Sequence, residues 1–485
     1  MFASGRRASR LTILSGGEVE QIHEQSLDVL EKTGIEMGHP AGQALLEAAG
    51  AGVDRDASRV RIPRTLVEQC LSTLPDRCLL AARDPAKDCM LEPGCRPYSR
   101  NGGGGDYTLD LESGDLRPLL EADMVEYFRL ADALPNIDFV APVFGHDLPE
   151  AGRDILVLRQ LFANTDKHVH MRVYSKRSLE YVIEMAQIVG GGKQALLERP
   201  LVSLLEAPIS PLKFIDIIVD ALILCGEVGM PLELCLMPIA GATGPMTLAG
   251  NTLLFNVEFL ACVVISQLAN PGAPLEYAPR PMIMDMRTGM GLTGSMEGAL
   301  MSVAGAQMAR YYNVPLSLHG PWTDAVAPDA QSSLESVYYT MLPALAGAQV
   351  LAGAGMLQQG LSFSHAKLVM DDEIHGLTLE ALEGFAVDEA HLAAEALDRV
   401  GPGGNFLADA HTLEFLRSGE RYSPNLLFRQ TRELWEAQGS TRFEEHAKEK
   451  AIELLRTHEP NPLPEDVSRA LDDVVAHALP RLQEA

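Results

Sequence analysis

His168, His170, Arg172 and Tyr174 alternate with Val169, Met171 and Val173 in a 485-residue chain. Along an extended strand successive side chains point to opposite faces. This spacing therefore puts two imidazoles, a guanidinium and a phenol on one face and apolar groups on the other. Such groups can bind a carboxylate, ligate a metal or carry a proton. Further polar residues close apolar runs downstream: Glu206, Tyr277, Arg280, and His319 with Trp322 and Asp324 just after it. Glu206 and His319 are the candidates for catalytic roles. Glu206 suits a base or a counter-charge to a cation, and equally a helix cap. His170, Arg172, Arg280 and His319 suit a carboxylate.

Two histidines two residues apart suit metal ligation, with His319 and Asp324 as further ligands of a metal-dependent hydrolase. No strand offers the remaining ligands in a recognisable pattern, so His168 and His170 read better as substrate contacts or polar lining, and no metal is assigned. Tyr98, Tyr107, Phe144, Tyr174, Tyr277 and Trp322 can supply an aromatic wall, with Tyr98, Tyr174, Tyr277 and Trp322 as the ammonium-binding candidates. Ring faces attract quaternary ammonium by roughly 0.5–2 kcal/mol per contact; the competing reading gives at least half of these rings to packing. Two glycine-rich stretches are candidates for close backbone approach to a bulky cofactor. These are Gly102, Gly103, Gly104 and Gly105, and Gly241, Ala242, Thr243 and Gly244. A flexible hairpin tip or tight loop packing explains them as well, and neither has the lysine of a phosphate loop.

The elements that must position these residues alternate. Strands are expected near 98–101, 137–144, 168–174, 201–206, 232–237, 274–277, 315–319 and 349–353. Helices are expected over 122–134, 178–189, 214–227, 251–268, 297–312, 334–346 and 364–376. Eight strand–helix units favour a closed α/β fold, the (β/α)8 TIM barrel, over a doubly wound open sheet. In such a barrel the chemistry sits at the C-terminal ends of the strands. The barrel is expected over residues 96–400, with a helical N-terminal preface over 1–95 and a helical C-terminal tail over 401–485. The tail reads as a cap or an oligomer contact, so a homo-oligomer is expected.

A formal charge of −27 argues against a nucleic-acid partner, whose phosphates demand a basic surface. Seven cysteines without a CxxC pair point to a reduced, cytoplasmic protein. The opening residues carry arginines but no apolar core of a secretory leader. The apolar run 253–268 contains Asn256, Glu258, Ser266 and Gln267 and reads as a buried helix, so no membrane association is expected.

The chain resembles the trimethylamine methyltransferase family of corrinoid-dependent enzymes nearly end to end. The resemblance is carried by residues 22–34, 60–63, 237–250, 285–289, 323–331, 368–374, Phe406-Leu407 and 411–413. It implies a TIM barrel and methyl transfer from a methylated amine to Co(I) of a corrinoid (cobalamin) held by a separate small protein. The trimethylamine enzymes carry pyrrolysine, expected near the end of strand seven, where this chain has only His319, Gly320, Pro321 and Trp322. That departure resembles the branch without pyrrolysine, which includes glycine betaine methyltransferases. It implies a quaternary amine substrate: glycine betaine first, with proline betaine and carnitine as alternatives. A betaine-binding protein without turnover is the non-enzymatic alternative.

Overall fold

The computed structural model describes residues 11–418 and 420–483. The arginine-bearing opening, residues 1–10, lies outside the described residues. Eight parallel strands form the centre: β1 (Tyr98–Asn101), β2 (Phe139–Val140), β3 (His168–Met171), β4 (Val202–Glu206), β5 (Leu232–Leu236), β6 (Leu275–Pro279), β7 (Ser317–His319) and β8 (Val350–Ala354). They are hydrogen-bonded in the order β6-β5-β4-β3-β2-β1-β8-β7. A parallel bridge between Tyr277 and Leu316 joins β6 to β7 and completes the circuit. Strands β1 and β8, the least patterned in sequence, pair with each other from Tyr98 and Val350 onward, with a register shift at Gly353. The expected barrel is the observed one.

A helix follows each strand: α1 (Glu121–Ala133), α2 (Arg153–Asn164), α3 (Lys176–Gly190), α4 (Asp216–Glu227), α5 (Leu248–Ala269), α6 (Met296–Tyr312), α7 (Ala330–Ala346) and α8 (His365–Glu383). The outward face of each strand meets this ring, as Val169 and Met171, Leu204, and Leu232 and Leu234 do in one continuous apolar core. Helix α5 is long and apolar enough to cross a membrane by length and composition, yet 78% of that stretch is buried inside the fold. It packs on a helix over Gly16–Lys32 and another over Arg64–Leu71.

The preface is not purely helical. Ile35–Met37, Gly52–Asp54 and Arg59–Arg61 form a small sheet with Lys213–Phe214. Three-residue strands are too short for alternation to reveal them. A hairpin, Cys78–Leu80 with Cys89–Leu91, packs on Tyr98, Phe139, Val350 and Ala352. It stoppers the barrel at the N-terminal ends of its strands. The tail is helical and folds back on the barrel. Phe443–Thr457 lies on α8 and α1, and Glu465–Gln483 on α3 and α2. His458 Nε2 reaches Asp132 at 2.7 Å, and Arg159 Nε donates to Asp472 at 2.7 Å.

Candidate active site

Charged residues placed on the inward face of apolar strands meet inside the barrel. Glu233 of β5 accepts from Arg100 Nη2 of β1 at 3.0 Å and from Arg280 Nη2, just beyond β6, at 2.9 Å. Both bonds end on Oε1. Ser317 of β7 accepts from Arg280 at 2.8 Å and donates to Glu233 Oε2 at 3.0 Å. His170 Nε2 lies 3.9 Å from the same Oε2. Burial pushes the Glu233 carboxyl up, but the two guanidiniums outweigh that and hold it well below the usual carboxylate range. Glu276 of β6 goes the other way: burial, and then repulsion from Glu233, push it up to about 8. At neutral pH two fixed cations thus face one ionised carboxylate.

The histidines of β3 form a relay with defined proton positions. His168 Nδ1 faces the Ala81 carbonyl at 2.9 Å, which can only accept, so that nitrogen carries the proton. Burial lowers the His168 pKa to about 4, so the ring is neutral and its Nε2 accepts from Ser203 Oγ at 2.8 Å. The Ser203 oxygen in turn accepts from His170 Nδ1 at 2.8 Å. Burial, reinforced by Arg100, holds His170 neutral as well. His170 Nε2 is therefore left as a bare lone pair, buried without a partner. This arrangement corrects the expectation that His170 holds a carboxylate, because a lone pair repels an anion. It also assigns His168 to anchoring the relay, away from the mouth. Both histidines bond to Ser203 instead of converging on an ion. Among the described residues, no group of three His, Cys, Asp or Glu could hold a metal ion, so the hydrolase reading lacks its ligand set.

His319, on the inward face of β7, is neutral through burial and the nearby Arg280, and its Nδ1 is unpartnered. The Trp322 ring stacks on it, with centroids 4.0 Å apart and planes at 27°. Gly353 and Gly360 also lie close to the indole, where an added Cβ would come within 2.6 and 2.7 Å of the ring.

The expected aromatic wall is not assembled. Tyr98 begins β1 and sits at the stoppered end, with Arg96 4.5 Å above its ring. Tyr277 points outward into the helix layer, donating to Asn256 Oδ1 at 3.1 Å and packing on Phe259. Its position follows from strand alternation, since Glu276 takes the inward face. Tyr174 is exposed beyond the end of β3, edge-on to Phe144 and 5.5 Å from the Arg172 guanidinium. It borders a cavity of about 600 Å³ near the starts of α2 and α3, beside Leu482 of the tail. Arg172 is exposed at the rim. Glu206 shares the outward face of β4 with Leu204, adds to the burial that raises the pKa of Cys225 on α4, and is itself pushed up to about 7 by burial. It does not face the barrel axis. Asp324 accepts from Thr293 at 2.9 Å.

The glycines answer mostly to their own neighbours. A Cβ on Gly102 would strike the Met356 side chain and one on Gly105 the Phe363 ring, while Gly103 lies beside Pro142 and Gly104 faces open space. Gly241, Ala242, Thr243 and Gly244 form a tight turn closed by bonds to Ile239. A Cβ on Gly244 would fall 2.0 Å from Asn251. Local packing thus accounts for Gly102, Gly105 and Gly244, while Gly104 alone of the six glycines faces open space. Sequence reasoning missed Arg100, Ser203, Glu233, Glu276 and Ser317. The available signal was an acid or arginine inside a short apolar strand, as in Leu232-Glu233-Leu234 and Leu275-Glu276-Tyr277.

The family model for trimethylamine methyltransferase matches residues 3–480. The trimethylamine methyltransferase of Desulfitobacterium hafniense is 35% identical over 95% of this chain and 92% of its own length. The glycine betaine methyltransferase of another strain of that species is 31% identical over 97% of this chain and 98% of its own. Among solved structures, the monomethylamine methyltransferase of Methanosarcina barkeri superposes with a TM-score of 0.51 at 13% identity, covering 90% of this chain and 92% of that one, and supports the fold. A stoppered TIM barrel with charged groups facing inward, matched over nearly its whole length, belongs to the trimethylamine methyltransferase family and is a methyltransferase.

Proposed function

We propose that this chain transfers a methyl group from a quaternary amine to a corrinoid carried by a separate small protein. Glycine betaine is the first substrate, with proline betaine and carnitine next. The observation that carries the reading is the state of the mouth: the two inward histidines next to it, His170 and His319, are neutral through burial. A tertiary amine is a poor leaving group unless its nitrogen is activated, and neither His170 nor His319 carries the proton that would do so. A quaternary nitrogen needs none, because it departs as a neutral amine once its methyl carbon is attacked. The corrinoid's Co(I) supplies the nucleophile. What the barrel contributes is orientation and a fixed electrostatic field.

The cytoplasm suits this reading, since a reduced cobalt centre needs a reducing compartment and seven unpaired cysteines are compatible with one. The chain acts as a homo-oligomer. Its segment after α8 exposes Phe385, Val387, Leu392, Leu397 and Leu407, apolar side chains that a second copy could cover.

The test is a panel of methylated amines incubated with the purified chain and Co(I) cobalamin, followed by methylcobalamin absorbance. Demethylation of glycine betaine or another quaternary amine, with trimethylamine inert, is the expected result. Turnover of trimethylamine with no quaternary amine accepted overturns the assignment.

A further inference from the structure

Among the described residues, exposed methionines occur in one quarter of the molecule only. Met237 and Met246 lie between β5 and α5; Met286 and Met290 lie between β6 and α6, and Met296 opens α6. Every other described methionine is buried or half-buried. Both connections leave the C-terminal ends of their strands, so the cluster stands at the mouth, opposite the end that the hairpin stoppers. A small sheet carries it: Ile239–Ala240 pairs with Met282–Asp285, which pairs in turn with Met290–Leu292. Met282–Asp285 is half-buried at all its residues, so neither face of this sheet is fully covered. The two connections meet at Gly241. The sulfurs of Met246 and Met286 lie 2.8 and 3.6 Å from where a Cβ on that glycine would stand. Met246 is nonetheless 53% exposed and Met286 70%.

Charge is scarce on the same surface. Residues 237–257 hold no Asp, Glu, Lys or Arg, in a chain of formal charge −27. In the second connection Asp285 faces Arg287 Nε at 3.6 Å, and the two cancel. A contiguous apolar patch gains nothing while water covers it, and gains when a partner does. Methionine's unbranched, polarisable side chain adapts to surfaces of different shape, which suits a partner that comes and goes.

We infer that this methionine cluster is the docking face for the protein that carries the corrinoid, and that the contact is apolar. The inference rests on the methyl-transfer reading above. The cluster commits to that occupant because it borders the doorway at which the reading requires the corrinoid to be presented. A second copy has other apolar side chains to cover, Phe385 and Leu407, which follow a helix running back from the mouth.

The test uses the full chain with a cobalamin-loaded corrinoid protein from Desulfitobacterium hafniense. Hydrogen exchange of the unaltered chain is expected to show protection over residues 237–247 and 282–296 when the carrier is added. Protection confined to other segments, or no binding, overturns the docking face. Affinity is expected to change less than about threefold from about 0.05 to about 0.5 M salt, and a steep fall overturns the apolar contact. The double variant Met246→Gln, Met286→Gln is expected to raise the KM for the carrier about 10-fold. Its turnover with free Co(I) cobalamin is expected to stay unchanged. An unchanged KM for the carrier overturns the docking face and leaves the methyl-transfer reading standing. If the unaltered chain demethylates no amine with either form of cobalamin, that reading fails, while the exchange footprint still decides the docking face. Because the footprint is measured on the unaltered chain, a variant that fails to fold does not shield the inference.

Discussion

Glu276 ties the chemistry of single residues to the stability of the chain. Its folded carboxyl titrates near pH 8, against an ordinary value of 4.5. Below the ordinary value it is neutral in both states, and its burial carries no ionisation penalty. As pH rises, the unfolded chain ionises first, so stability falls from about pH 4.5 until the folded acid ionises near 8. Glu276→Gln keeps a neutral group of the same size and removes that slope. Melting temperatures of the two proteins are expected to diverge across this window, with the variant falling less; parallel curves would show that Glu276 is ionised in the fold. The same residue shows what was readable in advance. Alternation of polar and apolar residues exposed His168, His170 and Arg172 at once. Glu233 and Glu276 sit singly between leucines and large apolar neighbours, and a one-residue break in an apolar run has no periodicity to detect.

Elements were more legible than residues, because short apolar runs alternating with helical repeats leave few folds to consider. All eight strands fall where the runs lie, although β2 has only two residues, Phe139–Val140. Loop packing was opaque: the crowding of Trp322 by Gly353 and Gly360 joins residues from separate strand ends. One device that holds those loops lies in α8. Lys367 Nζ is fully buried, bonds to Ser336 Oγ at 2.9 Å and the Pro321 carbonyl at 3.2 Å, and pairs with Asp371. Asp371 Oδ2 also accepts from the Gly355 amide at 2.7 Å. The pair thus fastens the ends of both β7 and β8. Lys367→Met is expected to destabilise the fold by about 3–5 kcal/mol by stranding a buried carboxylate. Lys367→Met with Asp371→Leu should recover much of that loss. Urea denaturation checks both, and equal losses in the single and double variants would deny the pair its role.

At the scale of the whole molecule, the tail was readable as helices but not as a strap. An amphipathic stripe says that a helix packs, not on what. Here Glu465–Gln483 lies on α3 and α2, and Arg159 with Asp472 fixes the seat. Beyond α8, Phe385, Val387 and Leu407 are exposed among the described residues. Light scattering is expected to give a multiple of 52.5 kDa. The double variant Phe385→Glu, Leu407→Glu is expected to shift the mass toward the monomer. A monomeric unaltered chain at micromolar concentration would remove the interface.

The hairpin of Cys78–Leu80 and Cys89–Leu91 turns the barrel into a cul-de-sac. Fuel and spent product must use one doorway, and any visiting carrier protein would have to park across it. Loading therefore precedes docking under the proposed chemistry, and a large excess of the carrier should stall turnover by blocking the queue.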